Sequence, residues 1–170
     1  MSRRILYFQM LRSALIEVTL LDQMQVLLPN AVVRPFIERG QSRVKIIARF
    51  ESQQIEYHAA LKKFNADNYV SYFSKAKQKA LGVFLNDYFT MKLIEDSSKY
   101  GVEMPEELKA VLMSDPLAKE LFEQLTPGKK RSLIYSILKI KNTDLRISKA
   151  LNFCKNIKLG MTDQRSWLNP

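Results

Sequence analysis

Between Gln124 and Leu133 the chain reads QLTPGKKRSL. A glycine followed by Lys129, Lys130, Arg131 and Ser132 has the composition of a phosphate-binding loop. Backbone N–H groups, cations and a hydroxyl would all be at hand. The spacing does not carry that chemistry. Such a loop needs a glycine, four residues, then Gly-Lys-Ser/Thr after a strand. Gly128 has no partner glycine at that distance, Ser132 is displaced by two residues, and a helix precedes the run. Nucleotide hydrolysis is excluded. Thr126-Pro127 reads instead as a helix cap followed by proline at the first helical position. Lys129, Lys130 and Arg131 then crowd the positive end of a helix, where each cation is unfavourable by about 0.3–1 kcal/mol at low salt. A bound anion would relieve this, because free N–H groups and cations would converge on it. So would acidic neighbours such as Glu120 or Glu123, with no ligand required.

A second basic set, Lys141, Arg146 and Lys149, follows, with Lys155 and Lys158 beyond. Arg146 and Lys149 are three residues apart and share a helix face. The six residues Lys129, Lys130, Arg131, Lys141, Arg146 and Lys149 form the candidate anion- or nucleic-acid-binding set, joined across a helical hairpin. Aromatic residues are sparse among them (Tyr135, Phe153), so the set suits phosphate-backbone contact rather than base stacking. Lys75, Lys77 and Lys79, beside Arg43, Lys45 and Arg49, make a further basic group on the first half of the chain.

The remaining reactive residues are few. Structural zinc takes four Cys or His ligands, and this chain has one of each. His58 alternates in phase with Glu56 and reads as an exposed strand residue. Cys154 falls on an apolar stripe and reads as a small core residue. Glu95 and Asp96 are adjacent on a strand and point to opposite faces, against paired acid–base work. Asp87 fits a turn. No catalytic, cofactor-binding or metal-binding residue is expected, and no cofactor.

The elements that must position these residues change character along the chain. Residues 12–96 read as strands: SALIEVTLL, QVLLP, RVKIIARF, IEYHAAL, YVSYF and NDYFTMKLIED. RVKIIARF puts Val44, Ile46, Ala48 and Phe50 on one face, and IEYHAAL does the same with Ile55, Tyr57, Ala59 and Leu61. The two form a hairpin about ESQQ. LKKFNADN reads as a loop. Two short helices interrupt the strands: one from Asn30 to a stop at Gly40, one capped by Ser74 and stopped by Gly82. NDYFTMKLIED is bulky on both faces and reads as a central strand. After a linker to about residue 104, the period becomes helical. Four helices follow over 105–160. The third buries Leu133, Ile134, Ile137 and Leu138. The fourth is capped by Thr143 and buries Ile147, Ala150, Leu151, Cys154 and Ile157. Residues 161–170 read as a loose tail in which Trp167 can dock.

Bulk properties bound the function. The chain has 170 residues, 46% of them hydrophobic, which suits one or two packed domains. The net charge of +10 is uneven. Residues 1–50 hold 8 basic and 3 acidic residues, 51–96 hold 6 and 6, 97–126 hold 3 and 6, and 127–170 hold 10 and 2. The last quarter therefore meets an anionic partner or merely keeps the protein in solution. The opening MSRRILYFQMLRSALIEVTLL resembles a signal peptide in order, but Gln9, Arg12 and Glu17 break its apolar run and no cleavage site follows. No run of about 18 apolar residues suggests a membrane span. With one cysteine and no leader, a cytoplasmic protein is expected.

KAKQKALGVFLNDYFTMKLIED, then VEMPEELKAVLMSDPLAKELFEQLTPGKKRSLIYSILKIKNTDLRISKAL, resembles a two-part bacterial family over residues 12–160. The resemblance rests on Leu81-Gly82, Asp87, Val102, Pro105, Leu108, Lys141, Thr143 and Arg146. Its first part is a domain of unknown function similar to double-split β-barrels of the AbrB and MazE kind. Its second is the YdeI/OmpD-associated module, a helical hairpin. This chain departs from the pattern at Asn86, where glycine is usual, and at Ser136 and Ile140. The resemblance implies an α+β protein, with a small N-terminal β-barrel over 12–96, a helical module over 105–160 and a tail over 161–170. By analogy it implies DNA binding and a homodimer. The expected function is a non-enzymatic binding protein for an anionic partner, nucleic acid first and acidic protein second. The alternative is a protein-interaction or stress-associated module whose basic surface only solubilises it; an unrecognised enzyme ranks third.

Overall fold

The computed structural model describes residues 9–170. Residues 1–8, the start of the stretch weighed as a signal peptide, lie outside the described residues. The chain divides into two units, residues 1–97 and 98–170, and is α+β.

The first unit holds β1 (Ile16–Val18), β2 (Gln25–Pro29), α1 (Asn30–Glu38), β3 (Arg43–Phe50), β4 (Gln53–Ala60), β5 (Lys62–Lys63), β6 (Asn68–Tyr72), α2 (Lys75–Leu81) and β7 (Phe89–Glu95). The strands form two antiparallel sheets, ordered β1-β7-β3-β4 and β2-β6-β5. Among the described residues no ladder closes them into one ring; an isolated bridge between Leu20 and Val26 marks where the chain passes from one sheet to the other. The alternation read from RVKIIARF holds: Val44, Ile46 and Ala48 are fully buried. β3 and β4 pair from Arg43–Ala60 to Phe50–Gln53, with Glu51 taking a φ of 50° in the tight turn. β7 lies between β1 and β3, as its two bulky faces predict. Phe73 stacks on Phe89 at 5.5 Å and tilts against Tyr57 at 5.6 Å, joining the two sheets' apolar faces in one core. Lys62–Lys63, inside the segment read as a loop, pair with β6.

Helix α2 begins at Ser74, whose hydroxyl accepts from the Lys77 N–H, and ends at Gly82 with φ 81°. The next turn uses Asn86 at φ 74°, and the Asp87 carboxylate accepts from the Phe84 N–H at 2.8 Å. Both residues do the work expected of them. Asparagine tolerates the left-handed region far better than most side chains.

The second unit holds α3 (Glu106–Ser114), α4 (Pro116–Gln124), α5 (Pro127–Leu138) and α6 (Thr143–Lys158). α6 packs against the other three, most extensively against α3. Leu108, Phe122, Ile134, Ile137, Ala150 and Phe153 fill the centre. Three helices open on side-chain caps: Asp115 accepts from Ala118 N, Thr126 from Lys129 N, and Asn142 from Leu145 N. Asn142, rather than Thr143, therefore caps α6.

Three further expectations for this unit are corrected. The last ten residues are not loose. Trp167 is 1% exposed, meets Phe153 edge-on at 5.4 Å, and donates from its indole nitrogen to the Met161 carbonyl at 2.7 Å. The buried Asn156 amide donates to the carbonyls of Ser166, Trp167 and Asn169, and Lys149 donates to that of Leu168. The tail thus clasps one side of α6. The buried stripe of α6 keeps the expected Ala150, Cys154 and Ile157 and gains Phe153 and Asn156, which meet the tail. Ala150, Phe153, Cys154, Asn156 and Ile157 are buried, whereas Ile147 and Leu151 face solvent. Leu138, expected in the buried stripe of α5, is exposed as well.

Candidate binding site in the C-terminal unit

The six candidate cations have two different fates. Lys130 is only 14% exposed and reaches Glu123 at 3.0 Å. Glu123 also accepts from Lys99 and, at 2.7 Å, from the Tyr100 hydroxyl. The ammonium groups of Lys99 and Lys130 lie 5.0 and 5.8 Å from the Tyr100 ring centre, within cation–π range. Burial works to raise the Glu123 pKa, but the three hydrogen bonds outweigh it and hold the carboxyl down to about 2. The crowding of cations at the start of α5 is therefore relieved in part from within, by one of the two acids named from the sequence. Arg146 donates to the Ile140 carbonyl at 2.6 Å and to Glu107 at 3.3 Å, tying the start of α6 to α3. Lys149 holds the tail. Lys158, further along, pairs with Asp115.

Lys129, Arg131 and Lys141 have no side-chain partner among the described residues, and neither do Lys139 and Lys155. Of the six candidates, Lys130, Arg146 and Lys149 are thus engaged inside the unit, and the other three are not. Lys129 stands at the start of α5 and Lys141 in the turn past its end; from Lys129 to Leu138, the last residue of α5, is about 14 Å along the axis at 1.5 Å per residue. Exposed apolar residues stand on both helices, and three of them, Leu138, Ile147 and Leu151, are ones that the helical period assigned to the core. On α5, Arg131, Tyr135 and Leu138 recur at i, i+4 and i+7; on α6, Ile147, Leu151 and Lys155 recur at i, i+4 and i+8, so each set shares one face. Tyr135, Leu138, Ile147 and Leu151 are 38, 37, 38 and 53% exposed. The two helices are joined by residues 139–142 and pack on each other. Each of these two helix faces combines an unneutralised cation with exposed apolar side chains. The cations were legible from composition. The apolar half was not, because the helical period alone does not show which side of each helix the rest of the unit covers.

Other candidates settle into structural places. His58 is not exposed. Its side chain is 13% exposed, 3.6 Å from the buried Asp96 carboxylate at the end of β7. Glu95 points the other way, accepting from Leu11 N and Arg39, as strand alternation requires. Cys154 is buried, and burial is the main reason its thiol is pushed up to about 11, which leaves it protonated and unreactive at neutral pH. Lys77 lies 4.4 Å from the Tyr57 ring centre; burial, then the charge of Arg43, lowers its pKa. Among the described residues no group of three or more His, Cys, Asp or Glu side chains is placed to hold a metal ion. No helix there is long and apolar enough to cross a membrane.

Comparison with curated proteins and with solved structures returns no match. Residues 101–160 match one family model, described as OmdA: Bacteriocin-protection, YdeI or OmpD-Associated. The matched span takes in Val102, Pro105, Leu108, Lys141, Thr143 and Arg146, the positions on which the resemblance of the helical half rests. Over residues 101–160, where Pro105 opens α3 and Arg146 braces α6 against it, the chain is similar to the YdeI/OmpD-associated family.

Proposed function

We propose that this protein is a non-enzymatic binding module whose C-terminal domain takes an acidic partner carrying apolar anchors on the outer faces of α5 and α6. One observation carries the reading: Tyr135, Leu138, Ile147 and Leu151 are exposed on α5 and α6, which with their connection carry five cations, Lys129, Arg131, Lys139, Lys141 and Lys155, that lack internal partners among the described residues. Exposed apolar groups supply affinity on burial, about 25 cal/mol per Å². Unneutralised cations supply attraction and orientation. An amphipathic acidic helix of a partner protein offers both complements. Nucleic acid suits this surface less. Lys130, Arg146 and Lys149 are occupied inside the domain, and a phosphate backbone has no use for four apolar side chains.

The test is a fluorescence-anisotropy titration with a synthetic helical peptide bearing Leu at i, i+4 and i+7 and Glu elsewhere, beside a labelled DNA duplex. The expected result is tighter binding of the peptide than of the duplex. Leu138→Ser/Leu151→Ser is expected to weaken it about tenfold, and Lys129→Glu/Arg131→Glu by a similar factor at low salt. Equal loss of peptide and duplex binding on charge reversal, with no effect of the serine pair, would overturn the apolar half of the reading. Failure of both ligands to bind would return the charge to a solubilising role.

A further inference from the structure

The C-terminal unit has a second, separate feature, a half-open groove of about 600 Å³ lined by residues of the 98–123 stretch. This volume falls within the range of small-molecule sites, roughly 300–1,000 Å³. Its apolar lining comes from Tyr100, Val102, Met104, Leu112, Met113 and Phe122. Tyr100 and Phe122 meet edge-on at 5.5 Å and make a fixed aromatic wall. Met104 and Met113 supply unbranched side chains that adapt to irregular shapes.

The charges round the groove do not balance. Three lysines line it, Lys99, Lys109 and Lys119, with two carboxylates, Glu103 and Glu123. Glu123 is already engaged by Lys99, Tyr100 and Lys130. Lys109 and Lys119 have no partner among the described residues, and the single remaining acid is Glu103. One positive charge of the lining is therefore left over beside an apolar floor. We infer that this groove binds an amphipathic monoanion, a small molecule with an apolar or aromatic body and one carboxylate or sulfonate head. The body lies against Tyr100, Phe122 and Met113, and the head sits between Lys109 and Lys119. The site shares no residue with the outer faces of α5 and α6, so the two readings stand or fall independently.

The probe is 8-anilinonaphthalene-1-sulfonate, set against its uncharged relative N-phenyl-1-naphthylamine, each titrated into the full chain by fluorescence. The expected result is saturable, near one-to-one binding of the sulfonate, about tenfold tighter than that of the neutral dye. Lys109→Glu/Lys119→Glu should remove that preference by weakening the sulfonate alone. Met113→Glu, at a residue 65% exposed, should weaken both dyes while leaving the thermal midpoint within a few degrees of the parent. Equal affinity for the two dyes, or a preference that survives the lysine reversal, would overturn the anion site. Sulfonate binding unchanged by Met113→Glu would place the dye elsewhere and overturn the groove.

Discussion

Glu123 shows how one side chain can settle an apparent conflict at the residue scale. Its three donors come from Lys99, Tyr100 and Lys130, so one of the three cations that open α5 is neutralised from within the unit, without a ligand. The consequence is a defined pH dependence. The folded carboxyl is held near 2 against an ordinary value of 4.5. Its contribution is complete above about 4.5 and is lost as pH falls towards 2. Glu123→Gln is expected to lower unfolding free energy at pH 7 by about 1–2 kcal/mol, reduced from the buried-pair range by partial exposure. It should also flatten that part of the decline below pH 4.5. Urea unfolding of both proteins between pH 7 and 3 measures each effect. His58 teaches the opposite lesson. Strand alternation put it on the polar side, and alternation cannot reveal that Asp96, at the end of β7, comes to lie against it.

At the scale of elements, local chemistry was legible wherever the cause was local. Ser74, Gly82, Asn86, Asp87, Thr126 and the alternating faces of β3 and β7 act within a few residues, and each does what its type requires. Asn86→Gly should therefore be close to neutral, while Asn86→Ala should cost about 1 kcal/mol through its left-handed φ. Thermal unfolding of the two variants separates them. What was not legible depends on distant segments. A helical period finds an apolar stripe, but α6 offers apolar residues over much of its circumference. The stripe that is buried is set by packing on α3, α4 and α5 together with the docking of residues 161–170 through Asn156 and Trp167. Removing the Trp167 side chain should cost about 3–5 kcal/mol, the range for large aromatic truncations in a core. Its loss would show in the unfolding transition of the C-terminal unit. A cost below about 1 kcal/mol would mean that the clasp is dispensable.

At the scale of the whole molecule, the net charge of +10 is a poor guide until the engaged cations are set aside. Lys130, Arg146, Lys149 and Lys158 serve the fold. The cations of α5, its connection and α6 that stay without partners share these elements with exposed apolar side chains. Binding through that mixed surface should weaken less between 50 and 200 mM salt than the roughly 10³–10⁵-fold loss of a protein making 6–10 phosphate contacts. Anisotropy titrations of the acidic peptide and the duplex at both salt concentrations test this.

The most direct measurement is amide chemical-shift mapping of the isotope-labelled full chain on addition of the acidic helical peptide. The account predicts shifts concentrated at Lys129, Arg131, Tyr135, Leu138, Ile147, Leu151 and Lys155, with the first unit unmoved. Shifts confined to the first unit, or shifts produced equally by a peptide lacking its leucines, would contradict it.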